Sequence, residues 1–162
     1  MRIGVVSDTH NNLKNVRRIV ELFNDAGVER VIHTGDITQP KVIDEFSALN
    51  APLFGVFGNN DQGELALLET MVRRHGFHFV QPPLALEWAG RRIVVIHSPE
   101  ELALVGHEDF DVLLHGHTHR LTIEFDDTRL TFNPGECAGM IEGANAIGVL
   151  DLVALSPEII RF

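Results

Sequence analysis

The sequence predicts an α/β protein in which two β-sheets pack face to face with helices outside. Two observations carry that reading. In the first half, short β-branched apolar runs alternate with segments whose apolar residues repeat at helical spacing. In the second half, that rhythm gives way to paired short runs separated by turn residues, the pattern of hairpins. A layered sandwich satisfies both halves. With 162 residues, 44% of them apolar, the chain is expected to form a single domain over residues 1–162. No repeat, low-complexity tract or linker interrupts it.

The elements follow in order. "RIGVV" is a first strand. Leu13, Val16, Ile19, Val20 and Phe23 then repeat at helical spacing, with Lys14, Arg17, Arg18 and Glu21 on the other face and Asn11 or Asn12 as cap. "ERVIHTGD" is a second strand. Pro40 opens a helix that runs to about Leu49. "APLFGVFGNND" is a third strand ending in a Gly-Asn turn, and Glu64 to His75 is a third helix closed by Gly76. "LALEWAGRRIVVIHS" is a hairpin turned at Ala89-Gly90, and a short helix covers Pro99 to Val105. "FDVLLHG" is a strand, and "LTIEFDDTRLTFN" is a hairpin turned at Asp126-Asp127-Thr128. "ANAIGVLDLVAL" and "EIIRF" are the last two strands.

Composition excludes several functions. A formal net charge of −10 argues against a surface that tracks duplex nucleic acid, because such binding rests on Lys and Arg neutralising phosphates. No apolar run approaches the roughly 20 residues of a membrane span, so no membrane partner is expected. "MRIGVVSDTH" meets polar residues at once and reads as a strand, not a secretory signal. The single cysteine, Cys137, rules out an internal disulfide and fits a cytoplasmic protein with a small buried residue at that position.

The informative pattern lies where polar residues stop the strands. Asp8 and His10 follow the first, Asp36 the second, and Asn59, Asn60 and Asp61 the third. His97 ends a later strand, and "HGHTH" then offers His117 and His119. On an extended backbone, residues two apart face the same way, which would aim Asp8 with His10 and His117 with His119. Ligands collect at the carboxyl ends of strands in open α/β sheets. Carboxylates and imidazoles crowded there, with few Lys or Arg beside them, would each need a partner. Two divalent ions resolve this. On that reading Asp8, His10 and His119 hold one ion, Asn59, His97 and His117 hold the other, and Asp36 bridges. Mixed nitrogen and oxygen donors without thiolate suit manganese, iron, cobalt, nickel or zinc better than calcium or magnesium, and manganese is the ion expected. His33 and His115 are expected to brace the donors from behind, His75, His78 and His107 to lie on the surface or in loops, and Gly4 to serve ordinary turn geometry.

Asp8-x-His10, Gly35-Asp36, Gly58-Asn59-x-Asp61, His97 and Gly116-His117-x-His119 occur in the order of the calcineurin-like metallophosphoesterase superfamily. The short chain, and Asn133-Pro134-Gly135, resemble its small bacterial and archaeal phosphodiesterase branch. The resemblance runs from about residue 3 to about residue 150. It implies a four-layer αββα fold, a dinuclear site and hydrolysis of phosphate esters by in-line attack of a metal-bridging hydroxide, with Asp36, Asn59 and His97 closest to the chemistry. Asp61 is expected to brace the Gly58-Asn59 turn. Arg120 is the nearest cation but faces away from His119 on an extended chain. The chain departs from the pattern at Asn60, where many members have a histidine thought to assist the leaving group. An amide cannot give up a proton as an imidazolium can. The expected substrate is therefore a small or activated phosphodiester, cyclic nucleotides among them. A phosphomonoesterase, or a non-catalytic metal-binding scaffold of the same fold, are the alternatives. Oligomeric state is open in the sequence, and a homo-oligomer through an exposed strand or helix face is compatible with it.

Overall fold

Eleven strands, three α-helices and two 3₁₀ segments are arranged as two sheets flanked by helical segments in the computed structural model, which describes residues 1–105 and 110–162. His107, expected on the surface or in a loop, lies outside the described residues. The first sheet contains β1 (Arg2–Val6), β2 (Arg30–His33), β3 (Leu53–Val56), β4 (His78–Val80), β10 (Ala146–Asp151) and β11 (Ser156–Arg161), in the order β11-β10-β1-β2-β3-β4. The second contains β5 (Leu84–Trp88), β6 (Arg91–Val95), β7 (Val112–Leu114), β8 (Thr122–Asp126) and β9 (Arg129–Asn133), in the order β5-β6-β7-β9-β8. Strands β1 to β4 run parallel, as do β6, β7 and β9.

Between the sheets, Ile3, Val5, Ile32 and Val56 meet Ile93, Val95, Val112, Leu114, Leu130 and Phe132, all buried. The outer face of the first sheet is covered by α1 (Leu13–Ala26), α2 (Pro40–Phe46) and α3 (Leu65–His75). In α1 the buried residues are Val16, Ile19, Val20 and Phe23, the stripe that the spacing predicts. The Asn12 side chain accepts the Asn15 N–H at 3.2 Å, and Gly27 ends the helix at φ 62°. A 3₁₀ turn over Pro99–Leu104 caps the outer face of the second sheet, where Val94, Ile96, Phe110 and Leu113 cluster.

Differences from the sequence expectations lie mostly at element ends. β2 stops at His33 and β3 at Val56, so Asp36 stands in a loop, and Asn59, Asn60 and Asp61 open a 3₁₀ turn over Asn59–Glu64. α2 ends at Phe46, short of Leu49. β4 was not expected: three residues carry too little periodicity to mark a strand, and its pairing with β3 defines it. Gly4 is not a turn glycine. It sits inside β1, where a Cβ would come 2.5 Å from the Phe23 ring, and its absence lets α1 lie close on the sheet.

Candidate metal centre

Every polar residue singled out at a strand end lies at a carboxyl terminus on the same rim of the sandwich. Asp8 and His10 follow β1, Asp36 follows β2, Asn59 follows β3, His97 follows β6, and His117 and His119 follow β7. Backbone hydrogen bonds sew these loops together. Asp8 N–H donates to the Gly35 carbonyl at 3.1 Å, His10 N–H to Asp36 at 2.9 Å, and Gly116 N–H to His97 at 2.9 Å.

The convergence does not come from strand alternation. Asp8, His10, Asp36, His117 and His119 have φ of 50°, 44°, 60°, 65° and 57°, in the left-handed region that side chains rarely adopt. Such backbone persists only where the surroundings impose it. Here the imposing group is visible for Asp36. The buried Asp61 carboxylate accepts the N–H groups of Asp36 (3.1 Å), Ile37 (2.8 Å), Thr38 (2.6 Å) and Gly58 (2.7 Å). Asp61 therefore binds the loop after β2 to the turn after β3, a wider role than bracing the Gly58-Asn59 turn alone.

Asp36 lies at the middle of the cluster. Its Oδ2 is 3.7 Å from His10 Nε2, and its Oδ1 is 3.5 Å from His97 Nε2. Asp8 Oδ1 is 3.4 Å from His119 Nε2. Two overlapping sets of donors are close enough to share an ion: Asp8, His10 and His119, and Asp8, Asp36 and His97. Asn59 Oδ1 stands 2.9 Å from His97 Nε2 and 3.0 Å from His117 Nδ1, so Asn59 and His117 extend the second set outward.

Tautomers follow from the partners. His97 Nδ1 faces the Thr34 carbonyl at 2.9 Å, and a carbonyl only accepts, so Nδ1 carries the proton. A neutral His97 then turns its Nε2 lone pair toward Asn59 Oδ1 and Asp36 Oδ1. Lone pairs facing one another become favourable when a cation lies among them or the ring is protonated. Two further atoms point the same way: Asp8 Oδ1 and His10 Nε2 are buried without a hydrogen-bond partner. Burial raises the Asp8 carboxyl above its ordinary range, opposed by the Ser7 hydroxyl and by His97 and His119. A divalent ion would satisfy these atoms together, and the donor set of imidazole nitrogen and carboxylate or amide oxygen fits one.

Behind the donors, His33 is fully buried and neutral. Gly35 N–H donates to its Nδ1 at 3.1 Å, leaving the proton on Nε2, which donates to Thr9 Oγ1 at 2.9 Å. Burial lowers its pKa to about 3. His115 is buried, its pKa lowered by desolvation, and its Nδ1 donates to the Gly116 carbonyl. Asn133 ties the last loop down: its Nδ2 donates to the Gly116 carbonyl (3.2 Å) and Thr118 Oγ1 (3.1 Å), and its Oδ1 accepts from Gly135 N–H (2.9 Å). Gly116 passes against Ser7, whose hydroxyl donates to Asp8 Oδ2, and a Cβ there would overlap Ser7 Oγ. Nothing in the spacing of Ser7 and Thr34 marks which loop they will meet, whereas Asn133-Pro134-Gly135, which the sequence leaves open between a plain turn and a place beside the site, takes the second role. Cys137 is buried with its thiol against the Ala146 carbonyl and its pKa raised by burial, an inert residue.

The comparisons with known proteins agree with one another. The family model of the calcineurin-like phosphoesterase superfamily domain matches residues 1–154. The chain is 37% identical over 154 residues to phosphodiesterase MJ0936 of Methanocaldococcus jannaschii, covering 93% of each. It is 26% identical over 180 residues to phosphodiesterase YfcE of Escherichia coli, covering 96% of this chain and 90% of that one. The solved structure of an archaeal phosphodiesterase superposes with a TM-score of 0.91 at 36% identity, over the whole of both chains.

Proposed function

This chain belongs to the calcineurin-like phosphoesterase superfamily, and we propose that it is a dinuclear metal-dependent phosphodiesterase acting on small or activated phosphodiesters. Family membership brings divalent ions with it. In our reading Asp8, His10 and His119 hold one ion, Asn59, His97 and His117 hold the other, and Asp36 bridges, with manganese as the working metal. The observation that carries this is Asp36, whose two oxygens each face a different histidine, His10 at 3.7 Å and His97 at 3.5 Å.

Ions bound there supply a water of lowered pKa, from about 15.7 toward about 7, and positive charge beside the phosphoryl oxygens. The chain's own residues do the rest. The Thr34 carbonyl fixes the His97 ring by accepting a hydrogen bond from its Nδ1–H, so that Nε2 keeps its lone pair. Asp61 holds the backbone under Asp36, and Asn133 holds the backbone under His117. Asn59 lies between His97 and His117 and orients whatever occupies that end. No imidazole occupies position 60 to hand a proton to a poor leaving group. The favoured substrates are therefore diesters whose leaving groups need little help, cyclic esters among them.

Among the described residues, no helix is long and apolar enough to cross a membrane. The lone buried Cys137 supports a cytoplasmic setting. In this reading residues 1–162 form one domain, since β10 and β11 return to the β1 edge of the first sheet.

The test is hydrolysis of bis(p-nitrophenyl) phosphate with added manganese, comparing the native protein with Asp36→Asn. Manganese-dependent hydrolysis that disappears in the variant is expected. Equal rates in both would remove the bridging role. No hydrolysis by folded, metal-loaded protein would favour the scaffold.

A further inference from the structure

The apolar cover of the second sheet stops one strand short of its edge. Leu130 and Phe132 on β9 are fully buried, yet their cross-strand partners on the same face of β8, Phe125 and Ile123, are 56% and 40% exposed. Leu121, two residues before Ile123, is 43% exposed. Among the described residues β8 has a ladder partner on one side only, β9. The chain from Gly135, which passes near Leu121, carries two more exposed apolar residues, Met140 at 61% and Ile141 at 53%. Neither Lys nor Pro, the usual guards of an open edge, stands in Thr122–Asp126.

The hairpin decides which backbone groups are free. Asp126 and Arg129 close a two-residue turn, and such a closing pair exchanges both of its hydrogen bonds. Asp126, Glu124 and Thr122 therefore turn their N–H and C=O toward β9. Ile123 and Phe125 turn theirs outward.

We propose that this edge pairs with a second copy of the chain, β8 against β8, antiparallel about a two-fold axis at Ile123. That register sets Ile123 opposite Ile123 of the partner subunit and Phe125 opposite Leu121 of the partner subunit. The outward-bonding residues meet one another, and their apolar side chains share one face. On the other face Thr122 meets the partner's Glu124. Arg120, just before the strand, comes alongside the partner's Asp126, and symmetry repeats the pair. Other registers are worse. An axis at Glu124 opposes two carboxylates and uses inward-bonded residues, and an axis at Phe125 sets Glu124 against Asp126. The product is a continuous sheet across two copies, closing the edge on itself.

The experiment is sedimentation equilibrium on the full chain, with cysteine variants to read the register. Native protein should show a species of twice 18.0 kDa at concentrations in the range of about 10–100 μM. Ile123→Arg, at an exposed position that leaves the fold intact by circular dichroism, should be monomeric. Ile123→Cys should cross-link under mild oxidation. Phe125→Cys should not, because the two copies of residue 125 would stand about 13 Å apart. Cys137 is buried and contributes no background. A native protein that stays monomeric throughout, or a dimer that survives Ile123→Arg, overturns the proposal. Cross-linking at 125 and not at 123 overturns the register. None of these readouts depends on phosphodiesterase activity.

Discussion

The Asn60 side chain is folded back onto Asp36: its Nδ2 donates to Asp36 Oδ2 at 2.7 Å, while its backbone N–H donates to Oδ1 at 3.0 Å. The residue at which the chain departs from the expected superfamily pattern thus holds the central carboxylate. Losing a hydrogen bond to a charged group costs about 1.5–3 kcal/mol, so Asn60→Ala should lower kcat on bis(p-nitrophenyl) phosphate roughly 10- to 100-fold. Steady-state kinetics alongside metal content separates a misplaced Asp36 from a lost ion. The native enzyme should hydrolyse the bis-ester faster than p-nitrophenyl phosphate, and the reverse order would refute the role given to position 60.

Gly116 passes so close to the loop after β1 that a methyl group there would meet Ser7 Oγ, Thr34 Oγ1 and Asp8 Oδ2. Gly116→Ala should destabilise the fold by about 1–3 kcal/mol through overpacking. Because the displaced atoms include the Asp8 carboxylate, manganese uptake measured by calorimetry should fall with it. Unchanged uptake would mean that the loop yields elsewhere.

Asp61 accepts four backbone N–H groups from two loops. Asn at this position keeps one acceptor oxygen and turns an NH₂ group toward N–H donors. We expect Asp61→Asn to cost about 1–3 kcal/mol of stability and to reduce activity, although the residue touches no donor side chain. Urea denaturation together with kcat checks both.

How much of this was legible in the residues alone depends on the kind of feature. Periodicity placed α1 and its stripe, and the turn residues Ala89-Gly90 and Asp126-Asp127-Thr128 placed both hairpins, although Asp126 proves to be the last residue of β8, paired with Arg129, and not part of the turn. The clustering of Asp8, His10, Asp36, Asn59, His97, His117 and His119 was also readable, because polar residues at strand ends mark one rim of a parallel sheet. The path by which they converge was not. Extended alternation was the wrong mechanism, since five of the seven sit on left-handed backbone set by partners far along the chain. Asp61 binding the Asp36 loop, and Asn133 binding Gly116, join segments whose proximity only the tertiary fold creates. β4 is illegible for the same reason: its three residues are a strand because β3 lies beside them.

His33 gives a pH dependence with a defined sign. Burial lowers its folded pKa to about 3, against 6.5 for the free residue. Between these values the unfolded chain binds the extra proton, so stability rises with pH there. The contribution is complete above about 6.5 and is lost as pH falls, by about 1.4 kcal/mol per unit. Urea unfolding at pH 7.5, 6.0 and 5.0, with chelator present to remove metal linkage, should show this slope in the native protein and a shallower one in His33→Gln. Parallel slopes would assign the titration to another group.

Asp8 Oδ1 and His10 Nε2 lie buried without a hydrogen-bond partner, and a divalent ion would supply one. Manganese at a hundred times its Kd should stabilise the fold by about 2.7 kcal/mol, raising Tm by roughly 5–10 °C for a chain of this size. Calorimetric scans with manganese and with chelator test it. Identical midpoints would argue that the site binds no ion.

The place of β10 in the first sheet fixes an order of events during synthesis. β1 pairs with β2 on one side, but its other neighbour, β10, is encoded more than a hundred residues later. A chain emerging from the ribosome carries β1 with one bare edge through most of its translation, and that edge leads directly into Asp8. The Asp8 carbonyl itself waits for the Cys137 N–H, 3.2 Å away in the finished fold. All seven donors have been made once His119 is added, yet the first of them is not seated until the strands after it close. A chain cut before Ala146 keeps every donor and still lacks the two strands, β10 and β11, that cover the open edge of β1.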